Sequence, residues 1–396
     1  MVGFNGTLQR ITNMKGKEGV KILIATDSFK DCLTANEVGN NIKTGLLTSN
    51  ERFIVKVLPM ADGGEGTVQA LVDATKGEII RCEAHDALMR KTDSFYGVLG
   101  DKKTAVIEMA AASGIEHLKP EERNAWITST YGTGELILNA LDKKCHRIII
   151  GIGGSATNDG GVGMAMALGV RFFDIEDKEL GAGGGSLEAL SRIDITKIDK
   201  RLKNTEIMVA CDVSNPLTGE EGASYVYGPQ KGADKDTVKK LDANLKHYAR
   251  VLKEQLNKDV EFIPGAGAAG GLGAGLMAFC DGKLQKGIEI VSSETKLAEN
   301  CEWADVVITG EGKIDSQTQY GKTPQGVADA AKKYAKPVIA IAGTLGKGYD
   351  SLYNNGFDAI FSIVDKPMQL TEALENAPEL LKNTGVVIGN MLKINS

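Results

Sequence analysis

Histidine is scarce in this chain, paired cysteine, one-sided charge and long apolar runs are missing, and each shortage removes a class of function. Only four histidines occur in 396 residues, and His85, His117, His146 and His247 lie in contexts that suggest no catalytic triad. The six cysteines (Cys32, Cys82, Cys145, Cys211, Cys280 and Cys301) are scattered. No CxxC pair and no histidine at metal-ligand spacing accompanies them, which excludes a zinc site and a disulfide framework. Buried thiols in a reducing compartment are the simpler account, so a cytoplasmic protein is expected. With 46 basic and 52 acidic residues well mixed and a net charge of −6, there is no electrostatic footprint for nucleic acid or an anionic membrane. The uncharged stretch 263–280 is rich in glycine and alanine and falls short of a membrane span. Residues 1–19 lack the apolar core of a signal peptide. No repeat of 20–50 residues and no low-complexity block is present. A small-molecule partner is expected.

What is there is an alternation of apolar runs and helical patterns, the signature of an α/β protein with largely parallel sheets. Strands are predicted at 21–25, 54–58, 105–109, 148–152, 207–210, 306–309, 338–342 and 359–363. Thr34 and Glu37 form a capping box before a helix whose Val38, Ile42 and Leu46 recur every four residues. Thr323 followed by Pro324 opens a helix ending near Tyr334, and Thr67 is expected to cap another, with Val68, Leu71 and Val72 on one face. A chain of this length exceeds a single core. Residues 21–76 and 290–396 alternate strand and helix cleanly, whereas 77–289 is richer in glycine and less regular. The expectation is therefore a doubly wound, largely parallel α/β domain formed by both chain ends, with a second α/β domain, 77–289, inserted, and an N-terminal extension over 1–20. The active site is expected in the cleft between the domains, at the carboxyl ends of parallel strands.

Chemistry concentrates in the loops. The segment 147–167 runs from an apolar strand into Gly151, Gly153 and Gly154 and then Ser155, Asn158 and Asp159. Glycines there let a backbone approach a phosphate and expose N–H donors. Gly151, Gly153 and Ala156, with Asp174 downstream, also satisfy a permissive dinucleotide fingerprint. Asp159 argues against that, since a carboxylate beside the helix N-terminus would repel a metal-free pyrophosphate. A Mg²⁺ ion between acid and phosphate turns repulsion into ligation, so phosphoryl transfer is expected, with Asp159 as metal ligand.

Four further strand-end loops place carboxylates beside small residues: 26–31, 61–67, 211–215 and 310–315. A single such Asp is often only a helix cap or turn former. Five together indicate a shared ligand. Gly265, Gly267 and Gly270, with Glu289 downstream, spell GxGxxG, but glycine is abundant enough (48 residues) for such patterns to arise by chance. Gly321-Lys322-Thr323 resembles a P-loop tail, yet Ser316 stands where its first glycine belongs and Pro324 removes an N–H. The string at 153–157 lacks the second glycine of a nucleophile elbow. Lys30, Lys231, Lys313 and Lys322 are the basic residues embedded in glycine- or acid-rich loops. A kinase for a small acid needs cations for the substrate carboxylate and the moving phosphoryl group, and Lys30, between Asp27 and Asp31, is preferred.

The strings DSFKD (27–31), PMADGGEGT (59–67), VIEMAAASG (106–114), TYGTGELI (130–137), GIGGSATNDGG (151–161), ACDVSNPL (210–217), YGPQKGA (227–233), PGAGAAGGLGAG (264–275) and VITGEGKIDSQT (307–318) together resemble the type 1 glycerate kinase family, in order and at family-like spacing. The resemblance runs from about residue 21 to the C-terminus. It implies an ATP-dependent kinase of D-glycerate that makes 2-phosphoglycerate, with ATP as cosubstrate and two α/β domains, one inserted in the other. Thr26 departs from it, standing where the family usually has proline. The first twenty residues have no counterpart, and Met14 is an alternative start.

On that reading a glycerate hydroxyl attacks the γ-phosphorus in line, with Mg²⁺ present and a carboxylate accepting the hydroxyl proton. Asp212 and Asp315 are assigned as base or metal-organising acids, with Asp62 and Asp159 as alternatives for either role. Gly153, Gly154, Ser155, Asn158, Asn215 and Glu311 are assigned to the nucleotide phosphates. Asp27, Lys30, Asp62 and Glu65 are assigned to the substrate. Two rival functions stand beside this one: an NAD-dependent oxidoreductase of a small hydroxy acid, and a non-catalytic glycerate sensor on the same fold.

Overall fold

A computed structural model describes residues 19–394. Of the expected N-terminal extension, residues 1–18 lie outside the described residues, while Val20 is already buried in a core. The chain divides into two compact units, one of Met1–Asp62, Gln69–Thr75 and Ile288–Ser396, the other of Gly63–Val68 and Lys76–Gly287. No helix among the described residues is long and apolar enough to cross a membrane.

The unit containing both chain ends is built on five parallel strands, ordered Ala359–Ser362, Val338–Leu345, Val306–Ile314, Lys21–Thr26, Ile54–Val57. Near-continuous apolar runs such as Ile22–Leu23–Ile24–Ala25 arise because both faces of a parallel sheet are covered. Ile22, Ile24, Val306, Ile308 and Ile341 share a core with Val38, Ile42 and Leu46 of the helix Ala35–Ser49 and with Leu381 and Ile388 of Ala377–Ile394. The capping box forms as the sequence predicts: Thr34 N donates to Glu37 (2.9 Å) and Glu37 N to Thr34 Oγ1 (3.3 Å). Thr323 and Pro324 open a helix, Thr323–Lys333, with Tyr334 as its C-cap.

The middle unit holds a six-stranded mixed sheet. Lys283–Gln285, Glu206–Ala210, Arg147–Gly151 and Thr104–Glu108 are parallel, and the antiparallel hairpin Lys91–Val98 and Glu78–His85 forms the other edge. Ile107, Ile148, Ile150 and Val209 pack with Leu136 and Ile137 of Tyr131–Asp142, with Leu245, Tyr248 and Leu252 of Lys235–Leu256, and with Leu272 and Leu276 of Ala268–Cys280.

All eight predicted strands are present. The helix at Thr67–Thr75 starts differently from expectation. Thr67 Oγ1 has no hydrogen-bond partner among the described residues, and Val68 N donates to Glu108 Oε1 at 2.8 Å. A carboxylate from a neighbouring strand thus replaces the local cap, which ties residues 63–68 to the middle unit.

The helices Ala35–Ser49 and Ala377–Ile394 meet at glycine. A Cβ on Gly45 would overlap the carbonyl oxygen of Lys382 and lie 2.9 Å from Gly385 Cα. In an exposed helix Gly→Ala stabilises by up to about 1 kcal/mol; here the backbones must separate, and overpacking of this kind costs about 1–3 kcal/mol. Gly45→Ala should therefore lower the thermal midpoint in calorimetry, whereas an unchanged or raised midpoint would show that the helices do not pack this closely.

Candidate active site

In the unit of chain ends the strands run 2-1-3-4-5 in order of their appearance within that unit. The topological switch therefore lies between Lys21–Thr26 and Val306–Ile314, where such sheets bind ligands outside the strand carboxyl ends. Asp27 sits at that point, its N–H donating to Gly310 O at 2.9 Å. Its Oδ1 accepts from Ser28 N (2.7 Å) and its Oδ2 from the Thr323 hydroxyl (2.5 Å). Burial, and then the neighbouring charge of Asp62 and more weakly that of Glu311, push the Asp27 carboxyl up to about 7, against the pull of those hydrogen bonds. Glu311 is itself raised by burial. Its Oε1 accepts from Thr318 Oγ1 (2.7 Å) and its Oε2 from Lys322 Nζ (3.2 Å). The structure thus gathers Asp27, Asp62 and Glu311, brings in Lys322, one of the four candidate cations, and adds Thr318 and Thr323, to which the sequence reading assigned no role in the site. Thr318 closes the string DSQT and Thr323 the dismissed P-loop tail; both were visible as residues but not as partners. Lys30 is exposed.

Asp315 is held differently. Lys313 Nζ lies 3.0 Å from its Oδ2, and its Oδ1 accepts from Gln317 N at 2.8 Å. The lysine hydrogen bond foremost, then that backbone N–H, keep this carboxyl below its ordinary value. It shapes a turn and carries charge; of its two expected roles, proton acceptor is the one the geometry disfavours.

In the middle unit, Gly153 and Gly154 are exposed directly after the strand Arg147–Gly151, while Ser155 through Gly160 are buried. Gly154 has φ +72°, a conformation natural to glycine. A Cβ on Gly153 would touch only Gly64 Cα, at 3.7 Å. The loop containing Gly63, Gly64 and Glu65 closes over these strand ends, since a Cβ on Gly63 would meet Ala210 at 2.8 Å and lie 3.7 Å from Asp212 Oδ2. Asp212 is exposed, and its Oδ1 accepts from Gly287 N at 3.1 Å. Glu65 is exposed, and its charge adds to the burial that lifts Glu108 to about 7. This is a backbone lip with a carboxylate beside it, a suitable surface for an anion with a cation. Ser155 Oγ accepts from Lys231 Nζ at 2.7 Å, and Lys231 also donates to Thr157 O at 2.7 Å. Lys231 is 1 % exposed, and burial pushes its ammonium down to about 7 despite the attraction of Asp159.

Three of the expected contacts are altered by this geometry. Asp159, expected as a metal ligand, is 0 % exposed. Its oxygens accept from Thr130 N (2.8 Å), Thr130 Oγ1 (2.9 Å), Gly161 N and Gly163 N (3.1 Å each). With its lone pairs occupied by backbone and hydroxyl donors, it organises the loop and leaves nothing for an ion. Asn215 is likewise engaged: its Nδ2 donates to Glu221 O and its Oδ1 accepts from the Tyr227 hydroxyl, both at 2.7 Å, so it shapes its own loop rather than a phosphate site. Asn158 is fully buried with Nδ2 donating to Ser224 Oγ at 3.0 Å, and its Oδ1 has no partner among the described residues. It supports the lip from beneath.

The dinucleotide pattern also dissolves. Asp174 Oδ1 accepts from Glu176 N and Lys178 N at 2.9 Å each, as a turn former. Gly267, Gly270 and Gly271 are pressed against the backbones at Pro216, Thr157 and Gly160, so the glycine-rich segment serves packing. Among the described residues no three His, Cys, Asp or Glu side chains are grouped to hold a metal ion by themselves.

Comparison with known proteins agrees with the motif register. The model of the glycerate kinase family matches residues 22–393. A glycerate kinase of Halalkalibacterium halodurans is 52% identical over 361 residues, covering 91% of this chain and 95% of that protein. A glycerate 2-kinase of Escherichia coli is 50% identical over 358 residues, covering 90% and 94%. A crystal structure of a Salmonella typhimurium LT2 protein assigned as glycerate kinase 2 superposes with a TM-score of 0.87 at 48% identity, covering 95% of this chain and 99% of the other. With a family model spanning nearly the whole sequence and relatives at half identity, this chain belongs to the glycerate kinase family.

Proposed function

We propose that this protein transfers the γ-phosphoryl group of ATP to D-glycerate, with Mg²⁺, giving 2-phosphoglycerate. Family membership supports the kinase chemistry, similarity to a protein named glycerate 2-kinase supports the 2-position, and the observation that carries the nucleotide site is the bare glycine lip at Gly153 and Gly154 with Asp212 beside it. Phosphate oxygens need N–H donors without intervening side chains. Asp212, exposed and offering only oxygen, fits Mg²⁺, which takes one or two carboxylates and completes its shell with water and substrate phosphates. When bound, that ion would neutralise charge on the transferring phosphoryl group.

The chain's own residues supply the remaining steps. Gly153, Gly154 and the Ser155 hydroxyl orient the phosphates. Lys30 and Lys322 provide positive charge for the glycerate carboxylate, Lys322 already paired with Glu311. Asp27 accepts the proton of the attacking hydroxyl. A base works best with a pKa near the operating pH, and Asp27, at about 7, meets that condition, whereas the depressed Asp315 does not. Burial foremost, then the charge of Asp62 and more weakly that of Glu311, keeps Asp27 there. Of the two dinucleotide patterns, the one at Gly151 and Gly153 has lost its acid, Asp174, to a turn, the other has lost Gly267 and Gly270 to packing, and the acidic loops of a retained active site argue against a sensor.

Phosphorus NMR of the product from ATP, Mg²⁺ and D-glycerate should show ADP and 2-phosphoglycerate, with no turnover when D-glycerate is omitted. Formation of the 3-phosphate would correct the regiochemistry, and NAD reduction without ATP turnover would replace the reading altogether. Gly153→Ala should leave the thermal midpoint unchanged, because its Cβ meets ordinary contact, yet raise the ATP KM by about tenfold through loss of close backbone approach. An unaltered KM would move the phosphate site elsewhere.

Asp27 gives a paired prediction. Its carboxyl titrates near 7 when folded but at the ordinary 3.8 when unfolded. The favourable contribution is thus complete below the unfolded value and is lost as pH rises through the folded one. Asp27→Asn should consequently raise the thermal midpoint at pH 8 relative to wild type and narrow the difference at pH 4. It should also lower kcat on the order of 10²-fold or more, and abolish the acid limb that wild-type kcat/KM shows below about 7. A variant that keeps both rate and acid limb would exclude Asp27 as the base.

A further inference from the structure

Lys231 is a cation with no role in the phosphoryl-transfer scheme, yet it touches the lip that the scheme depends on. It ends the short turn Pro229–Lys231, and Gly232, at φ +88°, lets the chain pass against the carbonyl of Arg123. The side chain is carried inward until its ammonium meets the Ser155 hydroxyl and the Thr157 carbonyl. Lysine is almost never fully buried without partners, and an uncompensated ammonium in such a place is costly. Asp159 supplies the opposing charge, while the hydrogen bonds to Ser155 and Thr157 both fall on the lip segment.

The polarity of those bonds matters. An ammonium group has donors and no acceptor. Ser155 Oγ must therefore act as acceptor toward Lys231, which leaves its O–H free to donate. The Thr157 carbonyl, buried beneath the lip, is satisfied in the same way. Lys231 thus takes up acceptors of the segment from inside, and a surface that retains donors suits an anion. Ser155 remains 8 % exposed, while Thr157 and Asn158 beneath it are closed to solvent, with Thr157 Oγ1 and Asn158 Oδ1 unpartnered among the described residues. The surroundings of the lip are thus polar and not fully satisfied from within.

We propose that Lys231 is a positioning residue for the phosphate lip, fixing Ser155 as an outward hydrogen-bond donor to the phosphate of the bound nucleotide. The proposal rests on the reading that residues 153–155 receive that phosphate. Lys231 acts through Ser155, so the two substitutions share one effect.

The test is a double-mutant cycle on the full chain with Lys231→Met, Lys231→Gln, Ser155→Ala and the double Lys231→Met/Ser155→Ala, reading kcat, the KM of each substrate and the thermal midpoint. Lys231→Met should raise the ATP KM by about tenfold, the equivalent of one charge-assisted hydrogen bond, and leave the D-glycerate KM within about twofold. Lys231→Gln, which keeps a donor without the charge, should recover part of that loss. The double variant should be no worse for ATP than the poorer single variant, as expected of coupled residues. A folded Lys231→Met with an ATP KM within about twofold of wild type overturns the proposal, and so do single effects that multiply in the double variant. If Lys231→Met does not fold, Lys231→Gln is read by the same criteria in its own cycle with Ser155→Ala. Should Ser155→Ala itself leave the ATP KM unchanged, the phosphate reading fails and the proposal with it; a Ser155 effect without a Lys231 effect overturns the proposal alone.

Discussion

The middle unit depends on a carboxylate that never reaches water. Asp159 lies at the bend between the glycine lip and the helix Val162–Ala167, and binds that bend to the start of Tyr131–Asp142 through Thr130. Desolvation works against its charge, and donors from Thr130, Gly163 and Gly161 work for it. A carboxylate satisfied this fully behaves as a structural anchor, because removing it would strand several buried N–H groups at once. The anchored stretch is buried, and the two residues left outside it, Gly153 and Gly154, are the ones with bare backbone. A rigid interior and a thin exposed edge are what a phosphate site requires if its donors are to stay aimed without a ligand present.

The same anchor explains why a lysine survives inside the unit. Burial works against the charge of Lys231, and the negative field of Asp159 works for it. Neither group would be tolerated alone in such a place, and together they form a buried pair that divides the labour: the acid collects backbone donors on one side of the loop, and the base collects acceptors on the other. Buried pairs of this kind contribute little net stability. Their value here lies in fixing which atoms of the loop face outward.

Much of this was legible in the sequence, and what was not has a common cause. Strands such as Lys21–Thr26 and Arg147–Gly151 announce themselves by unbroken apolar runs, and the helix Ala35–Ser49 by its capping box and four-residue spacing, because those signals are local. The hairpin Glu78–His85 with Lys91–Val98 was missed because its faces are half exposed and its pattern mixed. Four of the polar stretches are loops after strands, while 310–314 instead continues the strand Val306–Ile314. The stretches and the acids within them were found from composition. Their roles were not, since a role depends on a partner far along the chain. Thr67 reads as the natural cap for its helix until Glu108 supplies the bond; Asn215 reads as a ligand residue until Tyr227 and Glu221 take both ends of its amide; Asp27 reads as a substrate contact until Thr323, almost three hundred residues away, and Asp62 define its environment.

That dependence also limits what a displaced pKa can be made to mean. Glu108 and Asp27 are both raised to about 7, and burial leads the causes in each. Glu108 accepts from the backbone around Gly66, Thr67 and Val68, so its shift records the cost of holding a loop and a helix start. Asp27 accepts from Ser28 and Thr323 but keeps part of its surface open at a strand end, where a topological switch leaves room for a ligand. Asp315 is held charged in an ion pair with Lys313, and Asp212 lies exposed beside the lip. Perturbation identifies strain between a charge and its setting, and only accessibility turns that strain into chemistry. Of the carboxylates assigned to this site from sequence, Asp27 is the one in which a clearly raised pKa, like-charged neighbours and an opening toward solvent coincide, and for that reason the proposed mechanism gives the proton to it rather than to Asp212 or Asp315.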